Sequence, residues 1–260
     1  MSYELPKMKH SEHPLHCNIN VRMREKPCLK LLDAKSGEKV LDVGCGLGYF
    51  LLSLSKQGIE CYGIDTSPES VEYIKNHITE NVKTGSCLSI PYKDNMFDRA
   101  MFCEVIEHVD DDGAALREIH RVLKPGGRLV VSTPGLEGWL TRTYLKRLGH
   151  HEGGEYHERD GYYKKELNEK MEQCGFTVVQ SRLNMFLLSE LMMELTKAVY
   201  MFKQRSFQAQ SDLIKVQETL SYRILRLILL LVIPLSKLED MLMVPLFRKG
   251  HALMVSGEKN

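Results

Sequence analysis

Short β-type runs alternate with helix-spaced apolar stripes through the middle of this chain. Residues 1–20 read as a polar, irregular arm, and residues 21–34 as a helix that ends at the turn signal Lys35-Ser36-Gly37. Lys39-Val40-Leu41-Asp42-Val43 is a first strand closed by glycines, and a helix follows over Tyr49 to Lys56. Ile59 to Ile64 is the next strand. Ser67-Pro68-Glu69 then starts a helix, with a hydroxyl cap, proline at the first helical position and an acid near the positive end of the helix dipole. Residues 81–85 and 97–103 read as strands. Gly113 to Leu123 is a helix with Ala115, Leu116, Ile119 and Val122 on one face, and Lys124-Pro125-Gly126-Gly127 stops it. Arg128 to Ser132 is a strand, Lys164 to Cys174 a helix ended by Gly175, Phe176 to Arg182 a strand, and His251 to Ser256 the last strand.

This alternation predicts an α/β fold, a parallel sheet with helices on both faces. Ligands of such sheets bind at the carboxyl ends of the strands, where the strand order reverses. Residues 184–250 break the rhythm. They are rich in Leu and Met and read as two or three helices, over Phe186 to Phe202 and Ser211 to Val232, with a polar joint at 204–210. The chain therefore divides into an N-terminal arm and helix (1–36), a core (37–183), an apolar helical insert (184–250) and a last strand with its tail (251–260).

Composition narrows the function classes. Lys plus Arg is 35 and Asp plus Glu 34, a net charge of +1, without the basic excess of a general nucleic-acid binder. From Arg182 to Gly250 there are ten basic and six acidic residues, a local +4 against −3 for the rest. The longest apolar run, Leu227 to Leu235, contains Pro234 and is far short of the roughly 20 residues that span a bilayer. The N-terminal stretch has no apolar signal core. The seven cysteines are widely spread without a C-x-x-C, which fits reduced thiols rather than a disulfide scaffold or zinc module. A cytoplasmic location, at the membrane surface, is the expectation.

The chemistry concentrates after the first strand. Gly44-Cys45-Gly46-Leu47-Gly48 lies between strand and helix, where glycines let the backbone turn tightly and approach a ligand, and the following helix start offers free N–H groups. Asp65, at the end of the next strand, is placed to accept hydrogen bonds from two ribose hydroxyls; the competing reading is a capping acid before Ser67-Pro68. A nicotinamide-nucleotide fingerprint would need G-x-G-x-x-G, and residue 49 is Tyr. Glu104-Val105-Ile106-Glu107-His108 puts two carboxylates and an imidazole just past a strand end, read as a base at His108, as a divalent cation held by Glu104, Glu107 and His108, or as loop structure shaped by Glu107 and His108 with Glu104 meeting a ligand amine. No metal site is assigned. A second polar cluster, His150, His151, Glu152, Glu155, His157 and Glu158, matches no familiar ligand spacing.

In order along the chain stand V-L-D-V-G-C-G-x-G-Y, G-I-D-T-S, I-P-Y-K-D-N-M-F-D, E-V-I-E-H-V and R-V-L-K-P-G-G-R-L-V-V-S-T-P. This series resembles the class I S-adenosylmethionine-dependent methyltransferases, closely over 37–134 and loosely over 135–182, and is similar to those of ubiquinone and menaquinone biosynthesis. The resemblance implies a Rossmann-like, seven-stranded, mostly parallel sheet with the insert before the last strand. It implies S-adenosylmethionine as cofactor and S-adenosylhomocysteine as product. Asp42, Gly44, Cys45, Gly46 and Gly48 would flank the methionine part, Asp65 the ribose, with Thr66 and Ser67 near it. Cys103 and Glu104 would lie under the methionine, and Arg24 would reach its carboxylate, the competing reading of Arg24 being a surface helix arginine. Ser86 stands where the family often has an acid for the adenine amino group, so Ser86 or the Cys87 backbone would serve there. His157 would line the acceptor pocket as a base, with His108 the other candidate. The Leu- and Met-rich insert suggests a lipophilic small-molecule acceptor (a quinol, isoprenoid or lipid), methylated at oxygen; six of the thirteen methionines lie there. Peripheral membrane contact through 184–250, or homodimerisation, would use the same segment; no nucleic acid is expected. The alternatives are C- or N-methylation of a soluble metabolite, or a catalytically silent cofactor-binding member of a membrane biosynthetic complex.

Overall fold

The computed structural model describes residues 8–138, 159–202 and 220–260. Two 3-10 turns, His10–Glu12 and Pro14–Cys17, lead into α1 (Ile19–Leu32). The core then runs β1 (Lys39–Val43), α2 (Tyr49–Ser55), β2 (Glu60–Asp65), α3 (Pro68–His77), β3 (Val82–Thr84), β4 (Phe97–Cys103), α4 (Asp112–Val122) and β5 (Leu123–Pro134). After it come α5 (Lys164–Gln173), β6 (Phe176–Asn184), α6 (Leu187–Phe202), α7 (Leu220–Phe247) and β7 (Ala252–Lys259).

The seven strands form one sheet in the order β3-β2-β1-β4-β5-β7-β6. β7 is antiparallel to both neighbours and the other pairs are parallel. The order reverses between β1 and β4, which makes the carboxyl ends of those strands the crevice for a ligand. Alternate residues of each strand feed opposite faces. Leu41, Phe102 and Val131 pack with Leu116 and Ile119 of α4 and Leu167 and Met171 of α5. Val40, Met101 and Val130 pack with Leu32 of α1, Leu51 and Leu52 of α2 and Ile74 of α3. Each such side chain, fully buried, stabilises the fold by roughly 1.5–3 kcal/mol.

Two boundaries differ most from the sequence reading. β5 begins at Leu123 rather than Arg128: Leu123 pairs with Phe97 and Arg128 with Arg99, so Lys124-Pro125-Gly126-Gly127 is an excursion within the strand. Gly126 takes φ +71°, which suits glycine. The second insert helix does not end at Val232 but runs on through Pro234 and Pro245 to Phe247. Both prolines are exposed, so water can satisfy the carbonyls they leave unpaired. Residues 204–210 and 211–219 lie outside the described residues. In α1, Pro27 removes the N–H that the Met23 carbonyl would accept, and Asn184 at the end of β6 donates its Nδ2–H to that carbonyl at 2.8 Å. A buried side chain thus lets the helix pass a proline and ties it to the sheet.

Asp112, at the start of α4, gathers α5 and the segment before it. It accepts from the Tyr162 hydroxyl (2.5 Å) and Lys170 Nζ (2.7 Å) and pairs with Arg159 Nη1 (2.7 Å). Burial raises its carboxyl affinity for a proton, but Lys170, Tyr162 and Arg159 outweigh that and hold it below the usual aspartate range. A depressed pKa gives stability that is complete above the unfolded value and is lost as pH falls through the folded one. Asp112→Ala is expected to cost about 2–4 kcal/mol at neutral pH, and to flatten the stability loss between neutral pH and pH of about 3. Urea unfolding at several pH values checks both.

Candidate functional site

The glycine loop leaves β1 in a conformation that only glycine adopts cheaply. Gly44, Gly46 and Gly48 have φ of +73°, +51° and +79°. A Cβ at Gly44 would stand 2.4 Å from Val105, and one at Gly48 2.9 Å from Ile74 and Ile78. The loop is anchored by backbone bonds: the Gly44 and Cys45 amides both donate to the Ile64 carbonyl, at 2.8 and 3.0 Å.

Asp65 joins this loop to the next strand. Its Oδ2 accepts from the Gly46 N–H at 2.7 Å and its Oδ1 from the Ser67 N–H at 2.9 Å. The Gly46 amide is therefore used internally. Asp65 does the local turn work of the capping reading, while its oxygens each keep a second lone pair. The cap of α3 itself is Ser67, whose hydroxyl accepts from Ser70 N–H at 3.1 Å and donates to Glu69. Thr66 is exposed beside them. Gly85 donates its N–H to the Asp65 carbonyl at 2.9 Å, which brings the 85–87 turn next to the same carboxylate. There the Ser86 hydroxyl accepts from Leu88 N–H at 3.2 Å, and Cys87 is half-buried, its thiol pushed up by burial.

Asp42 lies beneath, 2% exposed. Burial, with the nearby Asp65 charge, pushes its carboxyl up to about 7. Cys45 is buried and its thiol is raised for the same reason, burial first and the two aspartates after it. The Cys103 thiol at the end of β4 is raised well above its ordinary value by a hydrogen bond with Cys28 and by burial.

Glu104 follows in the left-handed region, φ +57°, with its N–H bonded to the Ser132 carbonyl at 2.8 Å. A non-glycine residue held there is strained, and its carboxylate is turned toward α1. Arg24 ion-pairs with it and Asn20 Nδ2 stands 3.5 Å from it. Arg24 is no surface arginine: it is 2% exposed, and its Nε and Nη2 have no hydrogen-bond partner among the described residues.

Past β4, the 3-10 turn Ile106–His108 carries Glu107 and His108. Glu107 is buried and accepts from the Thr133 hydroxyl at 3.1 Å. Burial, with the Glu104 charge, raises its carboxyl well above the ordinary range. Glu104 is engaged by Arg24 and Glu107 by Thr133. Among the described residues no group of three His, Cys, Asp or Glu side chains is arranged to hold a metal ion. His157, with the whole 150–158 cluster, lies outside the described residues.

The sequence did not disclose the part played by the arm. His13 is fully buried, with its Nε2 3.0 Å from the Leu47 carbonyl and its Nδ1 accepting the Leu15 N–H. Burial lowers it to about 4, so it is neutral. Leu15, Leu47 and Tyr49 form a small apolar cluster beside it. A roomier cleft of about 640 Å³ lies elsewhere, along the outer β3 edge, lined by Tyr62, Lys83 and Tyr92.

Residues 41–131 match the sequence model of the methyltransferase-domain family. A demethylmenaquinone methyltransferase of Corynebacterium kroppenstedtii is 41% identical over 127 residues, 47% of this chain and 55% of that protein. Norajmaline N-methyltransferase of Rauvolfia serpentina is 39% identical over 106 residues, 38% of this chain and 36% of that protein. The chain thus spans about half or less of the length of these relatives. A SAM-dependent methyltransferase structure from Thermotoga maritima superposes with a TM-score of 0.57 at 19% identity, covering 95% of this chain and 99% of that one, a likeness of fold. The ordered motifs and the match over 41–131 identify a methyltransferase domain in this chain, and the reversal of strand order at the glycine loop belongs to a fold shared with SAM-dependent methyltransferase structures.

Proposed function

We propose that the chain moves the methyl group of S-adenosylmethionine to a small lipophilic acceptor, at oxygen. The observation that carries the cofactor part is the pairing of buried Arg24 with partly exposed Glu104 at the carboxyl end of β4. Two opposite charges side by side suit a zwitterionic amino-acid group. Arg24 has two buried N–H-bearing atoms without partners for its carboxylate, and Glu104 offers a negative charge for its ammonium. Asp65, fixed by two backbone amides, has lone pairs left for two ribose hydroxyls. Ser86 and the Cys87 backbone border the adenine end.

S-adenosylmethionine, when bound, supplies a methyl group already activated on a positively charged sulfur. What falls to the protein is alignment, exclusion of water and removal of a proton from a hydroxyl acceptor. Asp42 in its ionised form favours a cationic ligand overhead. His108, in the turn past β4, is the described candidate to take the acceptor proton, and His157 is the second candidate. Demethylmenaquinone methyltransferases among the relatives support the lipophilic side of this reading. Norajmaline N-methyltransferase supports small-molecule transfer without favouring oxygen.

Three outcomes are expected. With methyl-labelled cofactor and a cell extract split into organic and aqueous fractions, label enters the organic fraction; label confined to water-soluble products removes the lipophilic acceptor. Asp65→Asn keeps one carbonyl oxygen for two amides and weakens cofactor binding by about 10–100-fold, on the order of 1.5–3 kcal/mol. Calorimetric titration checks this, and unchanged affinity refutes the ribose role. Because Asp42 titrates at about 7, its anionic fraction grows from pH 6 to pH 8. Cofactor affinity should therefore rise over that interval, and Asp42→Asn should remove the rise. An identical pH profile in the variant would exclude Asp42 as its source.

A further inference from the structure

The described part of α7 has two opposed stripes. Leu229, Ile233 and Ser236 are buried against the protein. On the other side Leu227, Leu231, Leu235, Leu238, Leu242 and Leu246 are each between 51% and 73% exposed. Leu187, Leu191 and Leu195 of α6, which packs against α7, are also exposed. So continuous an apolar surface exceeds the scattered exposed leucines of an ordinary soluble face.

Charge is sorted around it. The two acids of the described α7 residues are turned inward onto the start of α6. Asp240 accepts from the Met185 and Phe186 amides at 2.9 and 2.7 Å, and Glu239 from the Leu188 amide at 2.8 Å. Arg226, Arg248 and Lys249 are exposed. Lys237 lies close enough to Lys26 and Arg22 of α1 that, after burial, their charges lower its proton affinity. The outer surface is therefore apolar, with basic residues along the margin where α7 meets α1 and at the C-terminal end of α7.

Two helix-scale partners fit this surface less well. The six leucines are spaced by steps of 4, 4, 3, 4 and 4 residues, not the alternating 3 and 4 of a coiled-coil seam. A seam drawn with that alternation from Leu227 would run through Pro234. No helix among the described residues is long and apolar enough to cross a membrane. A helix with a dense apolar face and a basic margin suits the plane of an anionic bilayer.

We propose that the outer face of α6 and α7 docks on an anionic phospholipid bilayer, with its leucines in the headgroup–acyl boundary and Arg226, Arg248 and Lys249 at the phosphates. The insert leaves the sheet at Asn184 and returns at Ala252, which are in register with each other and with Pro134 at the carboxyl end of β5. The docked face thus flanks the edge of the sheet that carries the cofactor loop. The inference concerns where the chain works and stands whether or not the acceptor is lipophilic.

The test is flotation of the whole chain, without cofactor or acceptor, with vesicles of phosphatidylcholine alone or mixed with phosphatidylglycerol. The chain is expected to float with the mixed vesicles, and more weakly with phosphatidylcholine alone. Leu231→Glu with Leu246→Glu should lower partitioning at least about tenfold, and so should Arg226→Glu with Arg248→Glu. All four side chains are exposed or at the helix end, so the melting temperature should stay within a few degrees of the native value, which separates lost docking from lost folding. Failure of the native chain to float with mixed vesicles, or native-like flotation of the leucine variant, overturns the proposal. So does light scattering that finds a dimer split by the leucine variant, which would assign the face to a second copy. None of these readouts involves methyl transfer, so an inactive but vesicle-bound chain would sink the proposed function alone.

Discussion

The carboxylate of Asp65 holds the ligand end of the sheet together. It is the one side chain that accepts from both the glycine loop, at Gly46, and the turn into α3, at Ser67. Its backbone carbonyl also takes the Gly85 N–H, so three consecutive crossover turns converge on one residue. Three left-handed glycines between β1 and α2 would otherwise carry a large conformational freedom. The two charge-assisted bonds limit that freedom before any ligand arrives, and such preorganisation is what an alignment-dependent reaction requires.

The second organising contact is electrostatic and long in sequence. Arg24 on α1, which is buried and would be costly to leave unpaired, meets the partly exposed Glu104 beyond β4. The strained backbone at Glu104 and the two unpartnered nitrogen atoms of Arg24 are local costs concentrated at the ligand end of the sheet. The arm adds a neutral His13 bonded to the loop carbonyl at Leu47, so the N-terminal segment is part of the wall around the cofactor crevice.

The insert shows how one segment serves folding and surface at once. Its acids cap α6, its buried stripe joins Ile19 and Met23 of α1 in an apolar cluster, and its remaining circumference is apolar and exposed. Asn184, where the insert begins, repairs the carbonyl that Pro27 leaves in α1. The arm, the first helix and the insert are thus coupled through contacts that bypass the sheet.

By itself the sequence determined the elements and their order. Alternation of period 2 and period 3.6, the Ser67-Pro68 cap and the stop at Gly175 are local signals, and local sterics and burial enforce them. The ordered motifs located the crevice for the same reason, because glycines with positive φ and an acid at a strand end are needed wherever this loop is built. Tertiary structure decided what depends on partners far away in the chain. Arg24 reads as a surface helix residue until α1 is laid against β4, and the bond from the Gly46 amide to Asp65 appears only when β1 and β2 lie side by side. Glu104 and Glu107 stay open between base, cation and loop readings until Arg24 and Thr133 supply their partners. α7 reads as ending at Val232, because a proline's local cost is visible in sequence while the solvent or side chain that meets its orphaned carbonyl is not.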